Sequence, residues 1–215
     1  MTHSRNDPAP PALMIDTSRI GGRERYQLLT SLVVPRPIGW LSTRSGAGVP
    51  NLAPFSYFAA LSATPMLVGI SIGSRGGIPK DSLLNIRDIG GFCVNIVTER
   101  QLTAMNDSAG EHGPEVDEFD VAGLPMAEAE RVGAPYVENC PAVFECRLFK
   151  EVELGGTANT LVIGEVLAVR LHPELHFAPG THLVDPEALR PVGRLGGEFY
   201  APLGPVLRIP RSVVP

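Results

Sequence analysis

Glycine (23 residues) and proline (21) interrupt this 215-residue chain so often that its apolar residues fall into short runs. Glycine costs backbone entropy inside a regular element, and proline removes an amide donor, so the elements between them must be short and joined by tight turns. Short apolar runs bounded by turns favour strands over long helices. Such runs occupy Ile38–Thr43, Met66–Ile72, Gly91–Val97, Ala142–Leu154 and Asn159–His172. Asn51–Leu61 reads as extended chain, and Pro54 inside it predicts an edge strand or a bulge. Residues 22–32 predict a helix with Tyr26, Leu28, Leu29 and Leu32 as its apolar face, ended by Pro35 and Pro37. Asp81–Asp88 predicts a second, with Asp81 or Ser82 as N-cap and Leu83, Leu84 and Ile86 inward, and residues 99–107 a third. The fold class is mainly β with short helices, arranged as a closed or half-open antiparallel barrel.

Residues 1–16 read as a disordered lead, 17–205 as one domain and 206–215 as a tail. Within the domain, residues 108–135 are rich in acids, Gly and Pro and read as a surface excursion. Lys and Arg number 18 against 23 Asp and Glu, a net charge of −5, which gives no bulk attraction to nucleic acid or to an anionic membrane. No apolar run reaches membrane-spanning length, and the polar, Pro-rich start has no apolar signal region. Three cysteines without a CxxC pair argue against a disulfide framework and a zinc ribbon. A cytoplasmic location is the expectation. There is no Rossmann fingerprint, no P-loop, no GxSxG elbow and no HExxH helix. His172, His176 and His182 fall around Pro173, which prevents a helix from aligning them, so they read as a polar loop and no metal ligand set is assigned.

Three constellations bear on chemistry. The first joins Pro35–Thr43, with Trp40, Ser42 and Thr43, to Asn51–Phe58, with Ala53, Pro54, Phe55 and Ser56. Small residues and hydroxyls on paired strands let a planar heterocycle approach the backbone; the other reading is a core hairpin. The second runs from Ser71 through Ser74 and Arg75 to Lys80-Asp81-Ser82 at a helix start. A positive helix end, hydroxyls and an ammonium suit a phosphate; the other reading is an ordinary capped helix. Lys80 is one of only two lysines, the other being Lys150. The third is Arg194–Tyr200, whose Gly196-Gly197 pair permits a tight turn or places Arg194 and Tyr200 over a ligand.

Together these segments resemble the flavin reductase-like family, which has the FMN-binding split β-barrel fold. The residues that carry the resemblance are PRPIGWLST (35–43), NLAPFSYF (51–58), KDSLLNI (80–86), FCVNIV (92–97), NTLVIGEV (159–166) and RLGGEFY (194–200). It implies an FMN along the first strands. Ser42, Thr43 and the Asn51–Ser56 backbone would hold the ring edge, and Ser71, Lys80 and Ser82 the phosphate. It implies a homodimer with flavin near the subunit interface. It also implies NAD(P)H as reductant, with electrons passing to free flavin, a small-molecule acceptor or a partner oxygenase. The flavin does the chemistry, so no side chain is assigned as catalytic. Family reductases that use NADH often carry Gly-Asp-His where this chain has Thr157-Ala158-Asn159. That departure admits a second reading, an FMN-holding electron-transfer or flavin-carrier protein without its own NAD(P)H turnover. Pyridoxal phosphate or haem on a related barrel is a third.

Overall fold

A computed structural model describes residues 12–155 and 159–210. Most of the expected disordered lead, residues 211–215 of the tail, and Thr157 and Ala158 lie outside the described residues. In chain order the elements are α1 (Gly22–Leu32), β1 (Arg36–Pro37), β2 (Gly39–Arg44), β3 (Pro50–Phe55), β4 (Phe58–Ala63), β5 (Met66–Arg75) and β6 (Ile78–Pro79). There follow α2 (Asp81–Ile89), β7 (Gly91–Ile96), α3 (Leu102–Asp107), α4 (Glu118–Val121), β8 (Met126–Glu128) and β9 (Pro135–Val137). The chain closes with β10 (Ala142–Glu153), β11 (Asn159–Leu171), α5 (Pro186–Leu189), β12 (Val192–Arg194) and β13 (Tyr200–Pro202).

The main sheet is antiparallel in the order β3-β2-β7-β10-β11-β5-β4, with β6 hairpinned onto β5. Strands β3 and β4 are its two ends, so the barrel is split rather than closed by a hydrogen-bonded ladder. Pro54 lies in β3, an edge strand, where its missing amide is tolerated. The second sheet, β1-β12-β13, returns the C-terminal part of the chain to the start of β2.

Alternation along the strands makes two cores, one on each face. Leu41, Phe92, Val94, Ile70, Ile72, Cys146 and Val162 fill the barrel with Leu83 and Ile86 of α2. Trp40, Leu52, Cys93 and Val143 point the other way and are covered by Met105, Phe119, Ala134 and Val137. This corrects the reading of residues 108–135 as a surface excursion. Part of the segment is a lid over the sheet's outer face, because β2 and β7 are apolar on both faces and need cover. Its polar ties are equally internal. The Trp40 indole donates to Ser108 Oγ at 2.9 Å, and fully buried Asn95 donates to the Trp40 carbonyl and Ser42 Oγ while accepting from Val137 N–H.

The helices carry two further corrections. In α1 only Thr30 is buried, and Tyr26, Leu29 and Leu32 are exposed, so its apolar face is not packed within this chain. In α2 the N-cap is Lys80, not Asp81 or Ser82, and Leu84 is exposed while Leu83 and Ile86 are buried. Gly90 ends α2 in the left-handed conformation (φ 74°), which favours glycine. No helix among the described residues is long and apolar enough to cross a membrane.

The barrel interior has no spare volume where Phe92 reaches across β10 to β11. A Cβ at Gly164 would stand 2.4 Å from Phe92 Cζ and 3.3 Å from Cys146 Cβ. Gly164→Ala is expected to lower stability by about 1–3 kcal/mol through overpacking. The urea midpoint measures it, and an unchanged midpoint would show that the ring has room to move.

Candidate flavin site

The β2–β3 register sets Thr43 opposite Asn51, so both side chains share one face, under the first turns of α2. Asn51 Oδ1 accepts from Ser82 Oγ at 2.8 Å and from Thr43 Oγ1 at 3.2 Å. Thr43 Oγ1 accepts from Asn85 Nδ2 at 3.1 Å. The other end of the amide, Asn51 Nδ2, donates to both carboxylate oxygens of Glu118, at 3.1 and 3.0 Å. Glu118 Oε2 also accepts the Leu52 amide of the edge strand at 3.0 Å. Glu118 is buried, and burial pushes its carboxyl above the ordinary carboxylate range against the pull of these hydrogen bonds.

This cluster forms one wall of a cavity of about 360 Å³, together with Ala53, Pro54, Arg75, Lys80, Asp81 and His112. Helix α2 opens on it with no side chain capping its start, so its positive end is uncovered. Lys80 has no carboxylate within ion-pair distance among the described residues, and its Nζ lies 5.3 Å from the Phe55 ring centroid. Burial, and then the Arg75 charge, lower the Lys80 pKa from its usual 10.5. Arg75 is itself held by Glu111 at 3.3 Å, on the exposed rim. In the wall His112 Nε2 is buried without a partner; Ser74 Oγ on β5 is also without one but does not line the cavity. A partly desolvated ammonium, an open helix start and the unpartnered His112 nitrogen all gain from an anion, so the residues present fit a phosphate group.

A second cavity, of about 390 Å³, shares Pro54, Lys80 and Ala109 with the first, so the two form one trough. Its walls include Tyr26, Arg36, Ser56, Met105, Arg194 and Tyr200. Arg36 is buried and donates to the carbonyls of Thr30, Val33 and Leu195 at 2.6, 2.7 and 2.9 Å. It thereby staples α1, β1 and the Gly196-Gly197 turn around the trough. The Arg194 guanidinium stacks on Tyr200, 4.4 Å from the ring centroid, and bonds its hydroxyl. Tyr200 Oη donates to Asn106 Oδ1 at 3.3 Å. One end of the trough brings Lys80 and Arg75 beside Asp81, Glu118 and the Ser82 and Ser108 hydroxyls, and the other combines apolar side chains with two guanidinium groups.

Of the residues expected from sequence, Asn51, Ala53, Pro54, Lys80, Asp81 and Ser82 line the first cavity, and Pro54, Ser56, Lys80, Arg194 and Tyr200 the second. Thr43 stands behind Asn51. Phe55 belongs to the barrel core beneath Lys80. The side chains of Trp40 and Ser42 are fully buried and line neither cavity. Ser71 is on the face of β5 opposite Ile70 and Ile72, away from both walls, although its hydroxyl is also without a partner. Asn159 pairs with Gly73 at the end of β11 and lines neither cavity. Arg75, expected in the phosphate constellation, also lines the first cavity, whereas His112 and Glu118 carry no such signal in the sequence. The only sign of Glu118 was an acid beside the apolar Phe119 in an otherwise polar segment.

The split antiparallel barrel, with its trough beside the edge strand β3 and the start of α2, is the architecture of flavin reductase-like proteins. The chain belongs to the flavin reductase-like family: the profile of the Flavin reductase like domain matches residues 31–186. Nitrilotriacetate monooxygenase component B from Bacillus cereus is similar in structure, with a TM-score of 0.89 at 32% identity, covering 94% of this chain and 100% of that one. Pseudomonas fluorescens 2-nitrobenzoate 2-nitroreductase NbaA aligns with a TM-score of 0.84 at 27% identity, over 93% of this chain and 96% of its own. An uncharacterized protein of Deinococcus radiodurans is 39% identical over 188 residues, 85% of this chain and 82% of that protein.

The lowered pKa of Lys80 sets the pH dependence of anion binding. An anion favours the ammonium form, so affinity falls as pH rises through the Lys80 titration, which begins below the usual lysine range. Between about pH 8 and 10 the charge of a phosphate monoester is constant and does not mask the effect. FMN titrations are expected to weaken over that interval in the wild type and to stay level in Lys80→Arg. A wild-type affinity that is level to pH 10 would place the Lys80 charge away from the ligand.

Proposed function

We propose that this protein is a flavoprotein oxidoreductase that holds FMN in the joined cavities and passes electrons from NAD(P)H through it to an acceptor. The supporting observation is the trough itself, with a partly desolvated ammonium that has no carboxylate within ion-pair distance among the described residues at one end and a stacked Arg194–Tyr200 pair at the other. When bound, the flavin supplies the electron-transfer chemistry. Lys80 and Arg75 would offset the phosphate charge, and Ser82 would turn its hydroxyl to the phosphate. The edge-strand backbone from Ala53 to Ser56 would present polar groups to the ring edge. Arg36 shapes the far wall through its three carbonyl bonds. The acceptor is a small molecule or a partner oxygenase; the likeness to a monooxygenase component B supports the latter.

A second reading, an FMN carrier without its own NAD(P)H turnover, is favoured by Asn159, which stands where family reductases often place histidine and cannot take up charge at neutral pH. Anaerobic mixing of the holoprotein with NADH or NADPH separates the two. Bleaching of the visible flavin band on a catalytic timescale supports the oxidoreductase, and slow bleaching with either nucleotide supports the carrier.

The flavin assignment has its own test. Lys80→Ala is expected to weaken FMN by about 2–3 kcal/mol, the scale of a hydrogen bond to a charged group, and to leave riboflavin almost unaffected. Equal losses for both ligands would remove Lys80 from the phosphate end.

The protein is also proposed to act as a homodimer. Two-fold pairing is the commonest closed assembly, and the open edge at β4 and the outward Leu61, Met66 and Phe149 present apolar surface to cover. Sedimentation at micromolar concentration is expected to show twice the 22.9 kDa chain mass, and a stable single-chain species would overturn this.

A further inference from the structure

A third cavity, of about 920 Å³, lies between α1 and the turn at Gly196–Phe199. It shares Tyr26, Thr30, Leu195 and Gly197 with the second cavity and no residue with the first, so it opens off the trough at the end away from the phosphate cavity. Its apolar walls are Ile15, Val34, Leu195 and two aromatic rings, Tyr26 and Phe199, which are 61% and 70% exposed. Small-molecule sites are concave, mostly apolar and aromatic, and fixed in orientation by a few polar groups.

One group holds both walls. Arg36 donates to the Thr30 carbonyl on α1 and to the Leu195 carbonyl on the turn. The turn closes on itself as Leu195 N–H donates to the Phe199 carbonyl at 2.9 Å. It lies so near the helix that a Cβ at Gly196 would stand 3.3 Å from Ser31 Cα and Cβ. The groove is therefore formed before a ligand arrives, which lowers the ordering cost of binding. Arg23, Tyr26 and Thr30 follow at three- and four-residue spacing, so a charge and a ring share one stripe of α1. Two charges stand in this groove. The Glu24 carboxylate accepts from Gly21 N–H at 2.7 Å and is committed to the helix start. Arg23 makes no hydrogen bond or ion pair among the described residues.

We propose that this groove is a binding site for a planar aromatic carboxylate, with its ring against Tyr26 and Phe199 and its carboxylate on Arg23. A flat ring matches the two open aromatic side chains, and a planar carboxylate matches the fork of the guanidinium. Apolar walls alone would suit a neutral hydrophobe or a second copy of the chain equally well; the unpaired guanidinium on the same stripe as Tyr26 selects the small anion. The site itself needs no flavin. That its ligand meets the ring end of bound FMN, in the place of the small-molecule acceptor, rests on the FMN reading above.

The test uses the full chain without flavin and 2-naphthoate as the probe, with 2-naphthamide as its uncharged counterpart. 2-Naphthoate is expected to bind the wild type and to show nuclear Overhauser contacts from its ring protons to Tyr26 and Phe199. Phe199→Ser is expected to weaken both probes about tenfold. Arg23→Gln is expected to weaken 2-naphthoate about threefold to fivefold and to leave 2-naphthamide unchanged. Contacts to other parts of the chain, or an equal effect of Arg23→Gln on both probes, overturn the proposal. So does a wild type that takes up neither probe, which is the result expected of a groove closed by a second copy.

Arg23 and Phe199 are both exposed, so the variants are expected to keep the wild-type urea midpoint; should one fail to fold, the Overhauser contacts of the wild type decide. FMN separates this proposal from the flavin reading. 2-Naphthoate is expected to stay bound when FMN is added to saturation, and displacement by FMN would put the probe in the trough and overturn the site. A wild type that binds 2-naphthoate in the groove but no FMN overturns the flavin reading and leaves the groove site standing; one that binds FMN but not 2-naphthoate overturns the groove site alone.

Discussion

The hydrogen-bond cluster on Asn51 joins the parts of the molecule that meet at the trough. One amide ties β2 through Thr43, the start of α2 through Ser82, and the start of α4 through Glu118. Each of these groups is buried, and an unpaired buried donor or acceptor costs about 1–3 kcal/mol. The cluster therefore holds only if the β2–β3 register, the position of α2 and the docking of α4 are all correct. A one-residue slip of β3 would turn Asn51 to the other face and strand the three partners together. The polar wall of the trough depends on that register, because Asn51 of β3 lines it with Thr43 of β2 behind.

Alternation also explains the double core. Strand β2 buries Trp40 on one side and Leu41 on the other, and β7 does the same with Cys93 and Val94. A sheet of this kind cannot have a wet face, so something must cover its outside. The chain solves this with the segment between α3 and β10, which brings Phe119, Ala134 and Val137 down onto it. The same segment delivers His112 and Glu118 to the cavity wall. Covering the core and completing the site are thus one structural event.

The strands and helices were legible because their signals are local. Turn residues bracket β2 and β5, Pro54 marked an edge, and the match of α1 to residues 22–32 followed from its proline stop. Lys80 and Ser82 were legible for the same reason, since a basic and hydroxyl-rich helix start is a pattern in adjacent residues. Glu118 was not. Its meaning depends on a contact with Asn51, 67 residues earlier, and acid, Gly and Pro composition describes a polar segment equally well whether it is wet or docked. Trp40, Ser42 and Ser71 show the other difficulty: the motif places them on strands, but composition alone does not say which face of a strand lines the cavities.

The distribution of charge gives the last constraint on what the trough can hold. The net charge is −5, yet the groups converging on the first cavity include Lys80 and Arg75 beside the open end of α2, and the second cavity adds Arg36 and Arg194. Asp81 and Glu118 stand in the same wall as Lys80 and Arg75, so the first cavity brings both signs together, and partial desolvation still lowers the Lys80 pKa. Arg36 needs no ligand anion, because backbone carbonyls of three separate segments satisfy it. Arg194 is likewise occupied by Tyr200 and the Gly197 carbonyl. Lys80 is thus the lysine or arginine of the trough whose side chain has no hydrogen-bond or ion-pair partner among the described residues, which is why the proposed reading sets the phosphate at its end.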